Sequence, residues 1–211
     1  MKTLNLIFII ATCLMAISRV SGTFYIVKTF ENYGKKSTEG AEGHLTADGE
    51  KRVECFAGLV GNKINQPDHI YYKGDGTDKQ GNVKVNPRKF TAEALAAKFG
   101  GIPVDAISKE EQLSNLLERT HADGSQNSVF VWSDQDKAKE VANALGAAST
   151  PAEFNKDNYG GIWILEGSQL TEATMDCPGL SNIKTSGSLA NIRFSVMSLA
   201  VAVIASLYFF F

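Results

Sequence analysis

Phe24-Tyr25-Ile26-Val27 is a short, continuous apolar run, and two later stretches repeat its character. These are Val129-Phe130-Val131-Trp132 and Gly161-Ile162-Trp163-Ile164-Leu165, while Asp68-His69-Ile70-Tyr71-Tyr72 predicts a further strand. A run of four or five apolar residues without alternation is typical of a strand that is buried on both faces. The four stretches therefore predict a sheet that is covered on both sides.

Helical patterns separate these strands. Thr46 is expected to cap a helix that runs through Val60 and ends at Gly61, and Thr91 to cap a helix over Ala92–Phe99. A third helix places four apolar residues on one face: Ala138, Val141, Ala142 and Leu145. Alternating strands and helices favour an α/β fold with a mostly parallel central sheet flanked by helices.

The first 22 residues have the pattern of a secretory signal peptide. Met1-Lys2 is a charged start, Leu4–Ala16 is apolar, and Val20-Ser21-Gly22 is a small-residue cleavage site. The alternative is a buried first helix, but the apolar run has no polar face. We expect the mature chain to begin at Thr23.

The last residues have the pattern of a signal for a glycosylphosphatidylinositol (GPI) anchor. Val196–Phe211 is uncharged and apolar, with a spacer at Leu189–Ser195 and the small residues Ser186-Gly187-Ser188 before it. Cleavage would leave a domain over residues 23–186, remove residues 187–211, and put lipid on Ser186, with Gly187 and Ser188 as alternatives. A retained membrane-spanning tail is the other interpretation. The pattern predicts a protein on the outer face of the plasma membrane.

The charge of the mature domain argues against nucleic acid as a partner. Loss of Lys2, Arg19 and Arg193 leaves 18 of the 21 basic side chains against 23 acidic ones. A mildly acidic domain has no basic stripe with which to release counterions from a phosphate backbone.

Cysteine and histidine patterns predict neither a metal site nor a cofactor. Cys13 leaves with the signal peptide, so Cys55 and Cys177 remain, and they either form a disulfide or stay as two separate thiols. The mature chain also carries His44, His69 and His121, and no pair among them has metal-ligand spacing.

Five segments, taken in order, resemble the histidine phosphatase superfamily, also called the phosphoglycerate mutase-like fold. They are Lys28-Thr29-Phe30, Leu45-Thr46-Ala47-Asp48-Gly49, Thr91-Ala92-Glu93, Val131-Trp132-Ser133-Asp134-Gln135 and Tyr159–Leu165. In that family the first strand ends in Arg-His-Gly, a Leu-Thr-x-x-Gly segment starts the next helix, and a later strand ends in a second His. The resemblance spans residues 24–165 and implies a three-layer α/β sandwich.

The residues of the family's reaction are replaced here. The first His carries the phosphoryl group in that family, but Thr29 stands at its position and Lys28 replaces the Arg before it. Asp134 stands where the second His would be, and a carboxylate about 4 Å from a phosphate dianion costs several kcal/mol. The resemblance thus implies that phosphoryl transfer is lost, and that Lys28, Arg88 and Lys73 are anion-binding candidates.

Three functions are compatible with this pattern. The leading hypothesis is a catalytically inactive pseudophosphatase that binds a small anionic or glycan ligand, or that acts at the cell envelope. The alternative is a divergent extracellular phosphomonoesterase that uses another nucleophile. The third is a structural coat component without a functional pocket.

Overall fold

The computed structural model describes residues 22–77, 80–108, 113–132, 135–151 and 158–182. Residues 1–21 of the predicted signal peptide, Asp134 and the predicted anchor signal with Ser186, Gly187 and Ser188 lie outside these ranges. Within the described residues, none of the helices has the length and apolar character needed to cross a membrane.

The domain is built on a six-stranded sheet in the order β3-β2-β4-β1-β5-β6. The strands are β1 Thr23–Lys28, β2 His69–Lys73, β3 Val104–Ile107, β4 Asn127–Trp132, β5 Gly161–Glu166 and β6 Gln169–Thr174. β1 to β4 run parallel, whereas β5 runs antiparallel to β1 and forms a hairpin with β6. The predicted α/β fold is confirmed, with an antiparallel extension at one side.

In the described part of the chain, four helices cover the two faces of the sheet. They are α1 Ala47–Ala57, α2 Pro87–Lys98, α3 Leu116–Ala122 and α4 Gln135–Ala144. Phe56 of α1 and Leu95 of α2 pack in one core with the β1 residues Tyr25 and Val27. Helices α3 and α4 pack on the other face, where the core contains Ile26. The result is the three-layer arrangement that the sequence resemblance implies.

Thr46 caps α1 as predicted, but the regular helix stops before Gly61. The Thr46 hydroxyl accepts a hydrogen bond from Gly49 N at 3.2 Å, and α1 ends at Ala57 with Gly58 as its C-cap. The chain then folds back, and the Leu59 carbonyl accepts from the amides of residues 62–64 at 2.9–3.2 Å. These turn hydrogen bonds replace the last helical turn that the apolar pattern predicted.

The prediction that Thr91 caps the second helix is wrong. Asn86 is the N-cap, its Oδ1 accepts from Arg88 N at 3.1 Å, and Pro87 is the first helical residue. Asn followed by Pro is a strong helix start, because proline lacks an N–H that would be unsatisfied there. The buried Thr91 hydroxyl instead accepts from Phe30 N at 3.3 Å, which ties α2 to the end of β1.

An ion pair between a fully buried arginine and a partly buried glutamate joins α1 to the segment after β1. The Arg52 side chain is 0% exposed, and its Nη2 and Nε lie 2.6 and 2.9 Å from the Glu31 carboxylate oxygens. Arg52 Nη2 also donates to the carbonyl of Ser181 at 2.8 Å. Gly49 permits this approach, since a Cβ there would overlap the Glu31 carbonyl. One guanidinium therefore joins three segments of the chain.

Cys55 of α1 and Cys177, which follows β6, form a disulfide with an S–S distance of 2.07 Å. The sequence left pairing and separate thiols open, and the structure has the bond. Both residues pack against the core on the α1 side of the sheet. The cross-link fixes the segment that follows the β5–β6 hairpin to the first helix.

We predict that Glu31→Ala lowers the free energy of unfolding by about 3–5 kcal/mol, because it leaves the buried Arg52 charge uncompensated. Urea unfolding followed by circular dichroism measures the change. Asp48→Ala is the matched control, since it removes a surface pair with Lys51 whose side chains are 60% and 66% exposed. That loss should stay below about 1 kcal/mol. Equal losses in both variants would contradict the buried pair.

Reduction of the Cys55–Cys177 bond should lower the free energy of unfolding by about 2–5 kcal/mol, because the bond joins positions 122 residues apart. Urea unfolding with and without dithiothreitol measures this. The Cys55→Ser/Cys177→Ser variant should match the reduced protein and should not respond to the reductant. Two thiols alkylated under native, non-reducing conditions would show that the bond is not formed.

Candidate functional site

The last residues of the four parallel strands form one row at the carboxyl edge of the sheet. Lys28 of β1 pairs in register with Trp132 of β4, and Lys73 of β2 pairs with Ile107 of β3. The β2–β4 pairing ends one residue earlier, so Lys73 and Trp132 directly follow its last pair on these two neighbouring strands. Neighbouring strands lie about 4.8 Å apart, so Lys28 and Lys73 flank Trp132 at about 10 Å from each other. The row therefore presents a cation on each side of an indole.

A small cavity lies above part of this row. Its volume is about 170 Å³, and its lining residues are Lys73, Ile107, Ser108, Leu113, Trp132, Lys137 and Glu140. Lys137 Nζ contacts both Glu140 carboxylate oxygens, at 2.6 and 2.7 Å. Pockets for drug-sized ligands occupy about 300–1,000 Å³. The cavity is therefore of a size for a small ion, and the charged groups among its described lining residues are two ammoniums and one carboxylate.

Lys28 is almost completely buried at the end of β1. The residue is 7% exposed, and its Nζ lies 4.0 Å from the centroid of the Tyr159 ring. An ammonium over a desolvated aromatic face gains up to about 2 kcal/mol. The Arg52 guanidinium carbon lies 5.9 Å from the same centroid. Tyr159 thus lies against two cations from different elements.

Thr29 is as closed to solvent as Lys28. It is 3% exposed, and its backbone N donates to the Trp132 carbonyl at 2.9 Å. Phe30, at 0% exposure, follows it into the core under α1. Thr29 is thus a buried residue whose backbone amide continues the β1–β4 pairing beyond the strand.

Arg88 lies apart from the row that contains Lys28 and Lys73. It is in the first turn of α2, on the sheet face opposite the cavity, and its Nη1 lies 3.4 Å from Asn86 Oδ1. Asn86 Nδ2 donates to the Lys73 carbonyl at 2.8 Å and to Asp75 at 3.0 Å. Of the three predicted anion-binding candidates, Lys73 lines the cavity, Lys28 lies on the other side of Trp132, and Asn86 connects Arg88 to the backbone of Lys73.

The sequence pattern did not identify Arg52 as a residue near the carboxyl edge of the sheet. The available signal was its place on the buried stripe of α1 that contains Gly49, Val53 and Phe56. A charged residue on an apolar helix face requires a buried partner. That partner, Glu31, is 21 residues away in the chain, so local spacing does not identify it.

The histidines lie away from the Lys28–Trp132–Lys73 row in three different surroundings. His44 is exposed and its ring lies 4.1 Å from that of Phe90, and His121 is an exposed residue of α3. His69 is 6% exposed, and its Nε2 lies 3.0 Å from Asp105 Oδ2 at the opposite edge of the sheet.

Comparison with known proteins gives structural matches and no sequence match. No protein-family model matches the chain, and no curated protein sequence matches it. A structure provisionally assigned as the phosphohistidine phosphatase SixA from Agrobacterium tumefaciens shares 15% identity, with 72% of this chain and 94% of that chain covered and a TM-score of 0.46. The alpha-ribazole phosphatase from Shigella flexneri shares 12% identity, with 79% and 100% covered and a TM-score of 0.41. At these values the α/β fold rests on the strand order and helical layers described above.

Proposed function

We propose that this chain is a GPI-anchored cell-surface protein whose histidine phosphatase-like domain is catalytically inactive and binds a small anion. The burial of Thr29 supports the proposal that the domain is catalytically inactive. A covalent phosphohistidine mechanism needs an accessible imidazole, whereas this position has a hydroxyl that is 3% exposed. So little exposed surface disfavours attack on a phosphomonoester by this residue.

The row of strand ends supports anion binding. Ligands of open α/β sheets bind at the carboxyl ends of the strands, which is where Lys73 and Lys137 line the 170 Å³ cavity. Among the described lining residues, the two lysines exceed the Glu140 carboxylate by one charge. A volume below the usual range for ligand pockets favours inorganic phosphate or sulfate over a glycan.

The anchor part of the proposal rests on the two terminal sequence patterns. The last described residues are tied to the core: the Asn182 carbonyl accepts from Tyr159 N at 2.7 Å, and the Ser181 carbonyl accepts from the buried Arg52 at 2.8 Å. The proposed attachment residue, Ser186, lies four residues further along the chain.

We predict that the purified full chain does not hydrolyse p-nitrophenyl phosphate at any pH between 4 and 9, because the nucleophile of the family is absent. The Thr29→His/Asp134→His variant tests the alignment, and any turnover it gains would confirm the two positions. Turnover by the native chain, at a rate unchanged by repeated purification, would contradict the inactive assignment.

Phosphate binding is tested separately by NMR titration of the same chain. Lys73→Ala should weaken phosphate binding by about tenfold, since a charged hydrogen bond contributes about 1.5–3 kcal/mol. Lys51→Ala is the matched control, because Lys51 is exposed and pairs with Asp48 on α1. Phosphate shifts that are equal in both variants would place binding outside the cavity.

We predict that phosphatidylinositol-specific phospholipase C releases the native protein from cells that express it. Replacing residues Ser186, Gly187 and Ser188 together by bulky Leu should abolish release, because the attachment site requires small residues. Replacing Ser181 by Leu is the control, as it lies before the trio. A protein that stays on the membrane after the enzyme treatment would support the retained transmembrane tail.

A further inference from the structure

A cluster of ionisable side chains lies at the edge of the sheet opposite the candidate anion site. His69 begins β2, Asp105 lies in β3, and Asp123 follows α3. One ligand atom from each, an imidazole nitrogen or a carboxylate oxygen, lies within 4.8 Å of the other two. The three residues come from separate elements, so their chain spacing contains no metal-binding pattern.

The distances are close to those of a bound first-row transition ion. Ligands that are 2.0–2.2 Å from Zn²⁺ in tetrahedral geometry lie about 3.3 Å from one another. His69 Nε2 and Asp105 Oδ2 are already 3.0 Å apart. The two carboxylates are partly solvent-exposed, with side-chain exposures of 45% for Asp105 and 33% for Asp123. A rotation about their side-chain bonds closes the remaining gap.

Two of the ligands are held in place by the same aromatic residue. The His69 ring stacks on Tyr71 at 4.3 Å with an interplanar angle of 7°, and the Tyr71 hydroxyl donates to Asp123 Oδ2 at 2.7 Å. The Tyr71 ring is itself stacked on Phe130 in the core at 5.1 Å. Hydrogen bonds from such outer residues orient metal ligands and strengthen metal binding.

In this structure, Arg119 supplies the positive charge that faces the Asp105 and Asp123 carboxylates. Its Nη2 lies 3.5 Å from Asp105 Oδ2 and its Nε lies 3.9 Å from Asp123 Oδ2. Charge-assisted hydrogen bonds are usually about 2.7–2.9 Å, so both contacts are loose. The Arg119 side chain is 28% exposed and can turn into solvent. Its charge holds the position that a divalent ion would take.

We propose that His69, Asp105 and Asp123 form a binding site for Zn²⁺ or a similar first-row transition ion, with Arg119 as the competing cation. One imidazole and two carboxylates suit such ions, and water would complete the coordination. The ion would cross-link β2, β3 and the end of α3. The site is separate from the anion site, and its role would be to stabilise this edge of the sheet.

Zinc titration of the full chain in detergent, after EDTA treatment and dialysis, tests the site by isothermal titration calorimetry. One Zn²⁺ per chain is expected. His69→Ala should weaken binding by more than the roughly 10–100-fold typical of outer residues, and Tyr71→Phe by about tenfold. His44→Ala is the matched control, because it removes a histidine outside the cluster and should leave the affinity unchanged.

The Arg119→Gln variant distinguishes a metal site from a salt-bridge network. Removal of the competing charge should tighten Zn²⁺ binding by up to about fivefold, whereas a network alone would only lose stability. Co²⁺ bound to the native chain should show the visible bands of a low-symmetry site, which His69→Ala abolishes. The Arg119→Gln comparison does not depend on whether His69→Ala folds. Absence of one-to-one binding, or equal losses in His69→Ala and His44→Ala, would overturn the proposal.

Discussion

The buried pairing of Arg52 with Glu31 is the constraint on which the candidate site depends. Arg52 is fully buried in α1 and bonds the segment after β1, the carbonyl of Ser181 and, through its π contact, the ring of Tyr159. Tyr159 in turn covers the Lys28 ammonium. A buried ion pair adds little net stability when compared with apolar residues, but it fixes one arrangement, since any other leaves a charge unpaired. The β1–β4 register positions Lys28, and the Arg52 arrangement bears on it through the shared Tyr159 ring.

In the described residues, the carboxyl edge has lysine charges that support the proposed binding of an anion. A lysine ammonium is a point charge, and neither Lys28 nor Lys73 has the planar fork with which arginine holds two phosphoryl oxygens. Thr29 and Phe30 are buried beside this edge. Binding of an anion needs net positive charge, whereas phosphoryl transfer also needs a nucleophile within reach of the phosphorus atom. The described lysines provide the positive charge that binding needs.

The sequence predicted the buried strands well, because a short apolar run without alternation is characteristic of a strand covered on both faces. It did not predict β3 or β6, since Val104–Ile107 is partly exposed and Gln169–Thr174 is mostly polar. The two-residue loop Gly167-Ser168 was a usable hairpin signal, and Gly167 adopts φ +60° there. The sequence did not predict contacts between segments that are distant in the chain. These include the contact of Arg52 with Glu31 and those of His69 with Asp105 and Asp123. The row of Lys28 and Lys73 required the strand order, which local patterns do not give.

The last described residues lie at the carboxyl edge of the sheet. Asn182 bonds to Tyr159, and Tyr159 lies at this edge beside Lys28. Four residues span at most about 14 Å, so the proposed anchor on Ser186 would put this edge on the membrane side of the domain. The site would then face the plane of the headgroups, and the opposite edge with His69 would point outward. Anions fixed in that plane would reach the site by lateral diffusion at a high effective concentration, while dissolved ones would have to enter the narrow gap beneath the domain.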